Sequence, residues 1–267
     1  MAGDSTLEID SGGHSVFKPI AHGAGKLTIV GGNVDGRMEI GLAAGSTWTG
    51  DWNIACTGSV RSATGTQITN NFARGLRLGP GAALSSVNGG TALLPGTLTG
   101  SGDLIGYQTH TWTIGSGGTV SPGDVGVSNG VGNLKCSSSI SNNATLIFAS
   151  NSTYVVDIAG TTTSQYDRVT VRDTGAGNGT GIVQIVSGAI LTVNLWTPAA
   201  DLNSLDVTII DTATGTGGEG VLTGSFSTIN WVHERGWKNL AATMVNNDLH
   251  VTGQFVKPAK GTLLLVQ

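Results

Sequence analysis

Three sequence patterns in this chain of 267 residues have spacings that can carry chemistry, and each demands a particular scaffold. Gly126-Val127-Ser128-Asn129-Gly130 fits G-x-S-x-G, in which a serine held on a sharp strand-to-helix turn becomes a nucleophile. Nothing after it reads as a helix, and chains rich in Gly and Ser produce this spacing by chance. Gly215-Thr216-Gly217-Gly218-Glu219-Gly220 fits G-x-G-x-x-G and follows a strand-like run. A pyrophosphate also needs a helix N-terminus, and Val221-Leu222-Thr223-Gly224 does not begin one, so a flexible turn is the better reading. Asp157, Asp167 and Asp173 are candidates for the paired carboxylates that polysaccharide hydrolases and lyases use as acid and base. In a chain with so few charges, structural turn or solvent-facing roles are preferred for them.

Other chemistry finds less support. His14, His22, His110, His233 and His250 share no ligand spacing such as H-x-x-x-H. Gly25-Lys26 lacks the upstream Gly and the following Ser or Thr of a phosphate loop, and no Gly-Gly-x-Gly-x-Asp nonapeptide offers a calcium site. No catalytic, cofactor-binding or metal-ligating residue is therefore assigned, no cofactor is expected, and the chain is read as a non-enzyme. Trp48, Trp52, Trp112, Trp196, Trp231 and Trp237 suit a sugar-stacking platform or, preferably, packing in the core and caps of a β stack. Cys56 and Cys136 belong to no C-x-x-C pair. Two buried thiols are favoured, while a disulfide, and with it the redox compartment, stays open.

The scaffold follows from composition. Charged residues make up 11% of the chain, against about 25% in ordinary soluble domains, so the surface must be neutral and built from hydroxyls, amides and backbone. Gly occurs 43 times and Pro 6, which suggests frequent tight turns between strands rather than a disordered linker. Thirteen Lys and Arg stand singly against 17 Asp and Glu, a net charge of -4; without a basic stripe to neutralise phosphates, nucleic acid is not an expected partner. No run approaches the roughly 18 apolar residues of a membrane span, so membrane insertion is not expected either. Met1-Ala2-Gly3-Asp4-Ser5 carries no basic and apolar leader. The chain reads either as one not exported by a signal peptide or as a mature segment given a start codon.

Helical periodicity is nearly absent, and strand signals bounded by Gly, Asn or Ser are everywhere. Short strands are expected at residues 7–10, 15–20, 27–30, 37–40, 52–56, 66–69, 97–99, 103–105, 109–114 and 118–120. Longer ones are expected at 144–149, 153–158, 168–171, 182–186, 189–194, 205–210, 226–231 and 248–252. Short phrases pairing Gly with Leu recur without strict period, as at Leu76-Arg77-Leu78 before Gly79-Pro80-Gly81. Turns such as Asn88-Gly89-Gly90 and Asn246-Asn247 tolerate left-handed backbone. Aromatic residues are only 5% of the chain, few for a sandwich core and suited to a narrow aliphatic interior.

Several phrases recur in a family-like order. Gly96-Thr97-Leu98-Thr99-Gly100-Ser101-Gly102-Asp103-Leu104 has the form Gly-x-Leu-x-Gly-x-Gly-x-Leu, and Gly117-Gly118-Thr119-Val120-Ser121-Pro122-Gly123-Asp124 the form Gly-Gly-x-hydrophobic-x-Pro-Gly. Ala144-Thr145-Leu146, Tyr154-Val155-Val156-Asp157-Ile158-Ala159-Gly160 and Tyr166-Asp167-Arg168-Val169-Thr170-Val171 follow, with Asp211, Gly224, Phe226 and Asp248-Leu249-His250-Val251 later. From about residue 96 to 251 the chain thus resembles the autotransporter-associated β-strand repeat of bacterial passenger regions and large surface proteins. The resemblance implies a right-handed parallel β-helix with a structural or display role; the first 95 residues match in composition alone.

The expected fold is all-β, a right-handed parallel β-solenoid, with an antiparallel β-sandwich as the alternative. Residues 1–267 are expected to form one domain, with a distinct C-terminal cap from about 200–267. The expected role is that of a displayed, non-enzymatic structural protein at an extracellular or particle surface, narrowly a virion decoration or fibre component. A bacterial surface passenger or adhesin fragment and a carbohydrate-active β-helix enzyme are the alternatives. Exposed strand edges at solenoid ends invite pairing, so the expected partners are copies of itself or a larger protein assembly, with glycan contact as a further option.

Overall fold

A computed structural model describes residues 3–9, 16–18, 20–32, 34–62, 72, 74–86, 89–124, 130–138, 142–173, 179–198, 201–214, 216–232 and 235–257, with the backbone alone at 34–37. Every regular element among them is a strand. The chain is all-β because its apolar residues alternate over short runs and Gly or Asn interrupts each run before a helix could nucleate.

The described strands form three large sheets and one small one. The first sheet orders Ser5–Ile9, Lys26–Gly31, Asp51–Ile54, Gly75–Leu78, Thr97–Gly100, Thr119–Pro122, Thr153–Ile158, Ile190–Leu195 and Thr228–Val232. The second orders Val16–Phe17, Val34–Ile40, Gly58–Ser62, Ala82–Ser86, Asp103–Gly106, Asn133–Ser138, Arg168–Asp173 and Leu202–Ala213, then Asp248–Phe255 and Trp237–Val245. The third orders Gly90–Leu94, His110–Ile114, Ala144–Phe148, Gly181–Ile185 and Val221–Gly224, and His22–Gly23 pairs with Thr47–Trp48. From Gly90 onward the chain visits the third, first and second sheets in turn and returns one place further along each.

Pairing is parallel throughout the first and third sheets and along the second as far as Leu202–Ala213, so an antiparallel sandwich is not what forms. Only the last two strands of the second sheet run antiparallel to their neighbours. They make a hairpin whose turn residues Asn246 and Asn247 have φ of 48° and 63°, the left-handed pair that a two-residue hairpin requires. Trp237 packs on Phe255 at its open end, with ring centroids 5.3 Å apart.

Inward residues stack in columns because each strand repeats the register of the one beside it. Leu27, Trp52, Leu76, Leu98, Val120, Tyr154, Leu191 and Ile229 align in the first sheet. Val60, Leu84, Leu104, Cys136 and Val171 do so in the second, and Ala92, Trp112, Leu146, Val183 and Leu222 in the third. The three sheets share one core. Phe148 of the third sheet lies 5.5 Å from Tyr154 of the first, whose hydroxyl donates to Ile209 O of the second at 2.6 Å. Cys56 and Cys136 are both buried free thiols, with burial pushing each thiol pKa up; Cys136 fills its column position as a small hydrophobe.

Most expected strands form, some shifted at their ends. The one expected at 66–69 lies outside the described residues, and that at 15–20 is only Val16–Phe17. Strands that had not been expected also form, Gly58–Ser62, Ala82–Ser86, Gly90–Leu94, Asn133–Ser138, Val221–Gly224 and Trp237–Val245 among them, several with their apolar residues diluted by Gly, Ser and Lys.

Candidate functional site

Asp157 and Asp167 come together and Asp173 stays apart. Asp167 is fully buried. Its Oδ1 accepts from Gly132 N at 2.7 Å and its Oδ2 from Asp157 N at 3.0 Å, while its own N–H donates to Asp157 O at 2.9 Å. Burial pushes its pKa up to about 8; the two backbone donors pull it down, and the Asp157 charge adds to the rise. Asp157 Oδ1 accepts from Asn194 Nδ2 at 2.7 Å. Between these two aspartates the chain makes a short excursion, closed by Ala159 N donating to Gln165 O at 2.7 Å and by an Ile158–Tyr166 bridge. Asp173 Oδ2 accepts from Gly179 N at 3.1 Å. All three side chains are buried: those of Asp167 and Asp173 accept from backbone amides and that of Asp157 from a side-chain amide.

The remaining sequence candidates disperse. Ser128 and its neighbours 126–129 lie outside the described residues, as do His14, His233 and Gly215. Thr214 N donates to Gly218 O at 2.8 Å and Gly218 N to Thr214 Oγ1 at 2.8 Å; this closed turn leads into the strand Val221–Gly224, not a helix. His22 Nδ1 lies 2.8 Å from Thr47 Oγ1, and His250 Nδ1 2.7 Å from Asp206 Oδ1. His110 is buried against Trp112, ring centroids 4.7 Å apart. Among the described residues no three His, Cys, Asp or Glu side chains come together to hold a metal ion. Trp52, Trp112 and Trp237 are core or near-core residues, and the tryptophans form no shared exposed platform.

A feature that sequence reasoning missed lies on the outward face of the first sheet. A groove of roughly 770 Å³ runs across successive strands there and is lined by Lys26, Asp51, Asn53, Arg74, Arg77 and Thr97, with Thr99 and Asp124 at its far side. A second hollow sharing Lys26, Asp51 and Arg74 continues it toward Asp4 and Thr49. Alternation puts these side chains outward: Trp52 and Leu76 form the floor but are 0% and 3% exposed. Register does the rest, pairing Lys26 with Asp51 and Asn53 with Arg77, and Arg77 with Thr99.

Gly75 makes room for this arrangement, because a Cβ there would stand 2.6 Å from Asp51 Oδ1. Arg77 is held at both edges, its Nε donating to Asp124 Oδ1 at 3.0 Å and its Nη1 to Asn53 Oδ1 at 3.2 Å. Among the described residues Lys26 and Arg74 form no ion pair, although both are exposed. The groove therefore presents two uncommitted cations, one uncommitted carboxylate and a row of hydroxyl and amide groups. Its signal in the sequence was a register position shared by Lys26, Asp51 and Gly75, which no constant period exposes. No family model matches the chain, no curated protein matches it in sequence, and no solved structure matches it in fold.

Proposed function

We propose that the chain is a right-handed parallel β-solenoid that serves as a displayed, non-enzymatic structural element and assembles on a larger particle. A virion decoration or fibre protein is the narrower form; a bacterial surface passenger or adhesin, suggested by the repeat-like phrases, is the alternative. The observation that supports it is the sheet order, in which the chain passes through three sheets in turn and adds one parallel strand to each. Parallel crossovers are right-handed in about 98% of cases, which argues for the hand. The hairpin Trp237–Phe255 is read as the C-terminal cap, since its Ala242, Met244 and Leu249 line one small cavity with Leu222, Phe226 and Ile229.

Assembly is argued from the edges. Among the described residues Ser5–Ile9 and Thr228–Val232 are the two outermost strands of the first sheet, and Val16, on the outermost strand of the second, and Ile20 are 60% and 63% exposed. Such edges are templates for pairing unless covered. Sedimentation velocity over a wide range of concentration is expected to show association, and a species that stays monomeric throughout would count against this reading.

A carbohydrate-active enzyme is the competing reading, favoured by the presence of Asp51 and Asp124 in one groove. Asp124 is committed to Arg77, which leaves Asp51 alone where glycoside hydrolysis takes two carboxylates. Incubation with a panel of polysaccharides is expected to release no products; release that Asp51→Asn abolishes would replace the structural reading.

A further inference from the structure

We propose that the groove over the first sheet binds a segment of acidic polysaccharide, gripped through its carboxylate or sulfate groups by Lys26 and Arg74. Parallel strands stand about 4.8 Å apart, so the backbone positions of Lys26 and of the Arg74-Gly75 pair, two strands further on, lie about 10 Å apart. That spacing suits an extended acidic chain in which the two cations meet charged groups about two sugars apart. Between and beyond the cations lie groups that meet sugar hydroxyls: Asp51 as an acceptor, with Thr97 and Asn53 able to accept or donate. Arg77 is already locked by Asp124 and Asn53 and serves as a fixed wall.

Other ligand classes fit less well. Neutral sugars are usually held by an exposed aromatic face, and the one indole that lines the groove among the described residues, Trp52, is wholly covered. Single-stranded nucleic acid needs the same stacking platform. A peptide needs apolar anchor pockets, and the apolar floor residues Trp52 and Leu76 are buried beneath the backbone. What remains is a hydroxyl-rich chain with periodic negative charge, meeting two free cations on a protein of net charge -4.

The test is titration calorimetry on the full chain with four probes: oligogalacturonate, sulfated dextran fragments, neutral dextran and a single-stranded oligonucleotide. The variants are Lys26→Ala, Arg74→Ala and their double, with Lys238→Ala on the exposed hairpin as a control for net charge. One or both acidic saccharides are expected to bind, distinguishing carboxylate from sulfate. Affinity should fall several-fold in each groove variant, more than about tenfold in the double, and stay within about twofold in the control. Unchanged melting curves will show that the variants fold. Failure of both acidic saccharides to bind, equal loss in Lys238→Ala, or equal binding of the oligonucleotide would overturn the proposal. None of these outcomes depends on whether the chain self-associates.

Discussion

Asp167 places one carboxyl oxygen on each of two backbone amides and exposes no surface to water. Folded, it holds a proton up to about pH 8; unfolded, it releases it near 3.8. Between these values the unfolded state binds fewer protons, so this group's contribution to stability is complete below about pH 4 and is lost as pH rises toward 8. Burial shifts Asp103 and Asp248 the same way. Urea midpoints measured from about pH 4.5 to about 8.5 are expected to decline for the wild type across this window. For Asp167→Asn the decline should be shallower, with a loss of about 1–3 kcal/mol at the acidic end, because an amide nitrogen then faces a backbone donor. Parallel pH profiles would refute this assignment. Gly100 gives a second residue-scale test: its φ is +101°, and an added Cβ would collide with the Leu78 carbonyl. Gly45, at φ +87°, opens onto free space. Gly100→Ala should prevent soluble folding, whereas Gly45→Ala should cost about 1–2 kcal/mol, read from expression yield and thermal melts. The sequence showed these aspartates as candidates but not their partners, since Gly132 and Asn194 are distant in the chain and meet them only through the stack.

Among the elements, Ala144–Phe148 and Thr153–Ile158 lie one turn apart and contribute the aromatic pair that fills the middle of the core. Phe148 also meets Phe226, with ring centroids 5.6 Å apart, so Phe148→Ala is expected to cost about 3–5 kcal/mol. Tyr154→Phe removes only the hydroxyl bond to Ile209 O and should cost about 1 kcal/mol. Both values are read from denaturant unfolding, and a Tyr154→Phe loss as large as that of Phe148→Ala would show that the hydroxyl, not the ring packing, dominates. Strands such as 153–158 were legible because apolar residues alternate without interruption. Asn133–Ser138 was not, because its inward positions are Leu134, Cys136 and Ser138 and its outward ones include Lys135. The lack of a strict period also has a physical source. Leu76, Leu98 and Val120 follow one another at equal steps, but the steps to Tyr154 and Leu191 are much longer. Excursions such as the one stapled by Asp157 and Asp167 lie between strands and leave the register untouched.

For the molecule as a whole, a stack in which each strand hydrogen-bonds along its sheet only to the strands on either side should lose order from its ends inward. Amide hydrogen exchange is expected to be slowest in Thr97–Gly100, Thr119–Pro122 and Thr153–Ile158 and fastest in Ser5–Ile9, with the hairpin Trp237–Phe255 protecting the opposite end. Uniform protection from end to end would argue for one global cooperative unit instead. The all-β class and the parallel stacking could be anticipated from Gly-rich turns and family-like phrases. The groove could not, because it is assembled from residues 26 to 124 that share only a face.

The sheet order has a mechanical consequence. Among the described residues Ser5–Ile9 and Thr228–Val232 sit at opposite edges of a nine-stranded ladder, so a tether pulling them apart draws along the direction of the hydrogen bonds that join strand to strand. Bonds loaded in that direction give way in succession instead of sharing the load. Stretched between its two ends, the chain should yield at low force and pay out length gradually. Pushed from the side, across strands whose backbones run the other way, the same ladder should be stiff.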